Sequence, residues 1–464
     1  MGLKGARPRV VVAGASGFVG RALGPALVAR GFEAVALTRN PGRHEAGSSP
    51  YRWVECELYS MLDAERGLRG ADYAVYLVHS MMPSARLTQG SFRDMDLVCA
   101  DNFARAAKAA GVKHILYLSG LLPEGADMSE HLASRFEVEQ VLAARGVPVT
   151  SLRAGLVIGA GGSSYQMLVR LVRRLPAMVC PKWTNTLTQP VALDDVVEII
   201  SKAVGDERLF GRSFDIGVPE AMTYREMMAQ TARLLGVKRP MFGVPVLSPR
   251  LSRLWVSLVT GAPRELVAPL LVSLQHALVV HDRAIYDLLD VEPVPFDEAV
   301  RRALAAERGH EKGKTPRAFV GADRESPEVR SVQRLPLPEG RSALWAAERY
   351  MRWLPRALWP FLRVEVDHER CCRFYFRGIG RPLLVLRFAP DRSQPDRQLF
   401  YIIGGLLSRE SERGRFEMRT VPTCEGLICA IHEFRPRLPW PVYVATQAWV
   451  HLWVMSSFGR HLAA

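Results

Sequence analysis

One segment near the start, Val10-Val11-Val12-Ala13-Gly14-Ala15-Ser16-Gly17-Phe18-Val19-Gly20, constrains this chain most. The apolar run Arg9–Ala13 reads as a strand, and Val19–Arg30 has helical periodicity. A G-x-x-G-x-x-G turn joins them. In such a turn Gly14 supplies the tight bend. Gly17, without a Cβ, lets backbone approach a pyrophosphate, and Gly20 lets the helix pack closely on the strand. Bare amides across Ala15, Ser16, Phe18 and Val19, with the helix dipole behind them, then face an anion. Glycine spacing alone is weak. Strand, turn and helix in this order make it a dinucleotide-binding signal.

The following residues keep the pattern. Glu33–Thr38, Ala71–Val78, Lys113–Ser119 and Val147–Leu152 are short apolar runs. Phe92–Ala110 and Ser129–Ala144 between them are helix-like. Strands that are apolar throughout, alternating with helices, predict an α/β fold with a Rossmann-type doubly wound parallel sheet. The second strand runs into Arg39. A site that prefers the unphosphorylated dinucleotide usually carries Asp or Glu here, to bind the ribose 2′-hydroxyl, whereas a guanidinium suits a 2′-phosphate. The expected cofactor is therefore NADP(H), with Arg43 as a second phosphate contact. Glu57, after the strand-like Trp53–Cys56, is a candidate for the adenine amino group.

Further segments carry a family resemblance. They are Tyr76-Leu77-Val78-His79-Ser80-Met81, Ala100–Ala104, Ile115-Leu116-Tyr117-Leu118-Ser119-Gly120, His131-Leu132-Ala133-Ser134-Arg135, Leu152–Gly155 and Thr186-Leu187-Thr188-Gln189-Pro190. With the glycine turn, residues 9–305 resemble the atypical short-chain dehydrogenase/reductase superfamily, in its NmrA-like NAD(P)H-binding branch. The order of elements after residue 340 is similar to a START-like, or polyketide-cyclase-like, module. That resemblance implies a smaller α+β helix-grip domain. The expected organisation is a Rossmann domain with substrate-side insertions at 1–305, a polar turn-rich linker at 306–340 and the START-like domain at 341–464. Tyr375, Phe400, Trp449 and Trp453 are candidates to line a cavity in that last domain, or to be plain core.

The superfamily places a Ser upstream of a Tyr-x-x-x-Lys helix. Here Ser119 occupies the Ser position, and His131 and Arg135 stand where Tyr and Lys belong. The four-residue spacing keeps both on one helix face. In one reading His131 is the general acid, its ordinary pKa suiting neutral pH, and Arg135 holds the ribose hydroxyls. In the other, catalysis is absent and the fold is an NADP(H) sensor of NmrA type. A third leaves His131 as a helix residue with no role. His79, at a strand's carboxyl end, is expected near the nicotinamide. Tyr165, Trp183, Thr188 and Gln189 are expected around the substrate. No metal site is expected.

Composition sets the outer limits. Hydrophobic residues make up 48% and charged residues 23%, which excludes disordered and collagen-like chains. Seven cysteines without a C-x-x-C spacing argue against a disulfide framework or a zinc knuckle. Net charge is +14 and uneven. Residues 301–464 hold 28 basic and 17 acidic residues, net +11. That excess reads as a solvated arginine-rich surface or a site for anionic membranes, and no nucleic-acid motif accompanies it. The uncharged stretch between Arg437 and Arg460 is expected to be a buried helix, not a membrane span. The chain is expected to be cytoplasmic, with peripheral contact at the inner membrane surface as the alternative. Its partners are expected to be a small hydrophobic substrate or ligand and no nucleic acid. The function expected is an NADP(H)-dependent oxidoreductase acting on a hydrophobic carbonyl, enone or quinone. The alternatives are the sensor and a lipid-binding protein working through its carboxy-terminal domain.

Overall fold

The computed structural model describes residues 7–44, 49–79, 87–125, 128–244, 256–261, 267, 271–310, 328–360, 362–409, 411–423 and 425–464. Two compact units emerge. One comprises Met1–Met81 with Cys99–Val320, the other Met82–Val98 with Gly321–Ala464.

The first unit is built on a seven-stranded parallel sheet. Its strands are β1 (Arg9–Ala13), β2 (Glu33–Thr38), β3 (Arg52–Glu55), β4 (Tyr73–Tyr76), β6 (His114–Gly120), β7 (Val149–Ala154) and β12 (Ser213–Ile216). β5 (Leu87–Gln89) belongs to the second unit. The order across the sheet is β12-β7-β6-β4-β1-β2-β3. The sequence reverses direction between β1 and β4, and ligands bind at the carboxyl ends of strands at such a switch point. Val10 and Val12 on β1, Val75 on β4, Leu116 on β6 and Leu152 on β7 are buried in one core. Continuous apolar strands of this kind can sit only in a sheet covered on both faces. The helices are α1 (Phe18–Ala29), α2 (Met61–Leu68), α3 (Phe92–Ala110), α4 (Glu130–Ala143), α5 (Ser163–Arg174), α6 (Leu193–Ala203), α7 (Tyr224–Leu234), α8 (Ala284–Leu289) and α9 (Phe296–His310). Residues 92–98 of α3 group with the second unit. Short pairings complete the substrate side. β8 (Val157–Ile158) meets β11 (Val191–Ala192), β9 (Met178–Pro181) meets β14 (Met241–Val244), and β10 (Leu187–Thr188) meets β13 (Met222–Thr223). The apolar stretches Leu251–Val259 and Glu265–Val280 lie largely outside the described residues.

The second unit holds an eight-stranded sheet, ordered β16-β17-β18-β19-β20-β21-β15-β5. Its strands are β5 (Leu87–Gln89), β15 (Val329–Leu335), β16 (Leu362–Val366), β17 (Cys372–Phe376), β18 (Leu384–Phe388), β19 (Arg397–Gly404), β20 (Arg415–Arg419) and β21 (Leu427–Phe434). All neighbours are antiparallel except β15 and β5. Helices α10 (Ala343–Ala357), α11 (Trp440–Ala445) and α12 (Gln447–Ala463) share an apolar core with one face of the sheet.

Several expectations change here. The stretch 306–340 is not a linker throughout. It contains the end of α9 and all of β15, and β15 lies inside the sheet between β21 and β5. The single helix expected between Arg437 and Arg460 is two helices, broken at Thr446 (φ −128°, ψ −81°). It is also not fully buried, since Trp449 is 67% exposed. Neither Trp449 nor Trp453 nor Tyr375 lines the cavity of this unit, and Phe400 is solid core. The arginine excess is not all solvated. Arg330, Arg397, Arg415 and Arg419 are buried on the sheet face opposite the apolar one, around Glu417, Glu433 and His432. Burial alone would push the Glu417 carboxyl up, but the Arg419 and Arg397 cations hold it well below the carboxylate range. No helix among the described residues is long and apolar enough to cross a membrane.

Candidate active site

The glycine turn forms as its spacing predicts. Gly14 sits at φ +86°, and a Cβ there would come within 3.0 Å of the Leu77 backbone. Gly17 donates its amide to Gly14 O at 2.9 Å and N-caps α1. A Cβ on Gly20 would lie 2.5 Å from Gly14 O and Ala15 Cα, so only hydrogen fits between helix and turn. The first-turn amides of α1 have no intrahelical acceptor. Arg39 stands exposed just beyond β2, and Arg43 is exposed in the turn after it. His44 stacks on Trp53 at 4.2 Å. Burial, then the nearby Arg21 and Arg43 cations, hold His44 below its usual pKa. Arg21 thus extends a basic rim that sequence reasoning missed. The signal was Arg21 directly after Gly20. Glu57 is half-buried, and its carboxylate accepts the Tyr59 amide at 3.5 Å, which ties it into its own turn.

Of the other candidates, the structure brings His79 and His131 together. His79 is exposed beyond β4, and its ring centre lies 5.2 Å from that of His131. His131 is held in the first turn of α4. Ser129 caps that helix by accepting the Leu132 amide at 3.3 Å, and its hydroxyl meets Ser273 Oγ at 2.8 Å. Burial pushes the His131 imidazole down to about 4. The ring is therefore neutral near pH 7, in place of the ordinary pKa that its expected general-acid role assumed. Ser119, on β6, is buried with no hydrogen-bond partner for its hydroxyl among the described residues. Arg135 is 7% exposed, donates to Tyr117 Oη at 3.5 Å, and receives the Tyr117 hydroxyl on its own carbonyl at 3.2 Å. Burial lowers its pKa to about 10, so it stays a cation. Its guanidinium is packed under α4 against β6, where it anchors the helix that carries His131.

A cavity of about 200 Å³ adjoins this point. His131 and Ser164 supply polar atoms, Trp183 an aromatic wall, and Leu132, Met167, Met228 and Leu271 are typical of the rest. Three expected substrate contacts lie elsewhere. Tyr165 is fully buried in a neighbouring core, because its phase on α5 points it inward. Thr188 is buried in the β10–β13 pairing. Gln189 clamps backbone, donating to Val218 O at 3.1 Å and accepting Val280 N at 2.6 Å. Sequence reasoning also passed over Asp215, which accepts both the amide (3.1 Å) and the ring Nδ1 (2.6 Å) of His281 and straps the chain after Leu278. Among the described residues no group of three or more His, Cys, Asp or Glu could hold a metal ion.

Comparison with known proteins agrees with this geometry. Residues 14–171 match a family described as NAD(P)H-binding. The auxiliary protein GraX of Staphylococcus aureus is 29% identical over 145 residues, 31% of this chain and 43% of that protein. A (4-alkanoyl-5-oxo-2,5-dihydrofuran-3-yl)methyl phosphate reductase of Streptomyces griseus is 29% identical over 233 residues, 49% of this chain and 74% of that protein. Among solved structures, an NADPH-dependent quinone oxidoreductase of Escherichia coli in complex with NADPH superposes with TM-score 0.52 at 18% identity. It covers 64% of this chain and 99% of its own. Residues 14–171 thus match an NAD(P)H-binding domain, and the amino-terminal unit shares the fold of the solved NADPH-binding structures. The glycine turn fits such a cofactor, since the positive φ of Gly14 and the close packing at Gly20 hold the first-turn amides of α1 beside the turn.

Proposed function

We propose that the protein is an NADP(H)-dependent oxidoreductase acting on a small hydrophobic carbonyl, enone or quinone. The observation that carries this reading is the apolar cavity meeting His131 at the carboxyl edge of the sheet. The exposed guanidiniums of Arg39 and Arg43 support NADP(H) over NAD(H), as does the basic rim around them. The cofactor would lie along the glycine turn and supply or accept a hydride. The chain's own residues orient the substrate and manage its proton. Apolar walls exclude water from the reacting carbon. The neutral His131 ring and the unpartnered Ser119 hydroxyl offer hydrogen bonds to the substrate oxygen as negative charge develops there. In reduction that oxygen takes a proton from this pair. Solvent water returns it to the pair, with His79 exposed beside the His131 ring. Arg135 and Ser129 act by positioning α4.

Two results are expected. Arg39→Ala should weaken NADPH binding by roughly 10- to 100-fold, the worth of a charged hydrogen bond. NADH binding should hold within about twofold, and calorimetric titration of both coenzymes separates the two. Equal weakening of both would remove the 2′-phosphate reading. The pH profile follows from burial of His131. Its folded pKa is depressed, so the neutral ring persists well below the ordinary value of 6.5 and is lost only as pH falls toward about 4. kcat/KM should therefore show no step at 6.5 and decline only on approach to 4. A step at 6.5 would mean that an ordinary solvated histidine carries the proton.

NADPH bound without turnover on a broad carbonyl and quinone panel would favour the sensor reading instead.

A further inference from the structure

The second unit carries an exposed surface in which aromatic and basic side chains interleave. Trp359 follows α10 and is 65% exposed, and Phe376 and Ile379 at the β17–β18 hairpin are 50% and 43% exposed. The register brings these together. Leu362, which opens β16, pairs with Phe376, which closes β17. The Arg377 guanidinium then sits 5.6 Å from the centre of the Trp359 ring. Arg356, Arg363 and Arg381 are exposed on the same two segments. Neither segment, 356–363 or 376–383, contains a single Asp or Glu. The hairpin is tied to the next loop by Leu406 N donating to Pro382 O (3.0 Å) and Leu407 N to Leu383 O (2.9 Å). Arg437 N donates to Leu407 O (3.1 Å) and so leads α11 away from the same end.

Behind this rim lies an apolar cavity of about 150 Å³, whose lining includes Leu358, Leu362, Leu383 and Leu407. Leu358 and Leu362 flank Trp359, Leu383 follows Arg381, and Leu407 is hydrogen-bonded to Leu383. Large apolar side chains left in water cost free energy unless something covers them. Of the arginines around them Arg363 pairs with Glu365 at 3.3 Å, and Arg356, Arg377 and Arg381 leave an excess of positive charge that favours a negatively charged cover.

We infer that this end of the carboxy-terminal unit docks on an anionic lipid bilayer. Trp359, Phe376 and Ile379 enter the headgroup region, and Arg356, Arg363, Arg377 and Arg381 meet lipid phosphates. A bilayer fits both features at once. Aromatic rings settle at the water–hydrocarbon boundary, while arginines bury their stems and keep their heads among the phosphates. Each cation near an anionic leaflet strengthens binding roughly fivefold at physiological salt. The inference does not depend on the reaction proposed above, because its test reads binding alone.

The test is vesicle flotation of the full chain, with neutral phosphatidylcholine vesicles compared with vesicles containing about 30% phosphatidylglycerol. The full chain should float with the anionic vesicles and be left behind by the neutral ones, and salt should weaken the association. Arg377→Gln with Arg381→Gln should reduce binding roughly 25-fold, five for each charge. Trp359→Ser, Phe376→Ser and Ile379→Ser together should reduce it at least about tenfold. Both variants should keep their thermal transition and NADPH affinity, which separates lost docking from lost folding. No flotation at low salt would overturn the inference. So would equal binding to neutral vesicles, or unchanged flotation of both variants.

Discussion

Replacing Gly20 by valine is expected to abolish detectable NADPH binding, a loss of more than about 100-fold, and to destabilise the amino-terminal unit by roughly 2–3 kcal/mol. The reason is geometric. A Cβ at Gly20 would lie 2.5 Å from Gly14 O and Ala15 Cα, both backbone atoms that no rotamer change can move. Helix α1 would have to leave the turn, taking with it the amides aimed at the phosphates. Gly243→Ala is the control, since a Cβ at Gly243 meets nothing within 4 Å. Calorimetric titration with NADPH and a thermal melt read the two effects. A Gly20→Val protein that binds NADPH normally would show that the dinucleotide lies elsewhere.

The second large effect is expected at His131. His131→Phe keeps an aromatic ring in the cavity wall but removes the hydrogen bond to the substrate oxygen. kcat should fall by roughly 10²- to 10³-fold, the usual worth of one positioned proton-handling group. NADPH affinity should stay within about twofold, because the phosphate contacts are made at the far end of the switch point. His131→Asn, which restores a donor without a titrating ring, should recover part of kcat and flatten the acid limb of the pH profile. A His131→Phe enzyme with unchanged kcat would leave Ser119, or no residue of this pair, as the proton donor.

What could be read from the sequence followed from how local each feature is. The glycine turn is determined by residues 10–20 alone, and the strand–turn–helix unit formed there as expected. Strands β1, β2, β6 and β7 were legible because a parallel sheet buried on both faces leaves continuous apolar runs. β15 was not. Its residues Val329–Leu335 include Arg330, Ser331, Gln333 and Arg334, and only a neighbouring buried polar face explains them. β5 was hidden too, since Leu87–Gln89 pairs with a strand more than two hundred residues away. At the site, Ser119 and His131 were singled out through the family resemblance, and of the two His131 lines the cavity. The titration of His131 was not legible, because desolvation depends on packing that spacing does not encode. Met167, Met228 and Leu271 line the cavity, but by residue type they look like ordinary core. Tyr165, Thr188 and Gln189 looked like site residues by type, and their side chains were turned to core or backbone partners. In the second unit Trp449 and Trp453 share a helix face, but periodicity alone does not tell which face is buried.

Calorimetric titration of the purified full chain with NADPH and then NADH tests the central claim, a glycine turn that holds a dinucleotide and arginines that read its extra phosphate. The account predicts saturable one-to-one binding of NADPH, with NADH weaker by at least about tenfold. Absence of heat with both coenzymes, or a preference for NADH, would contradict it.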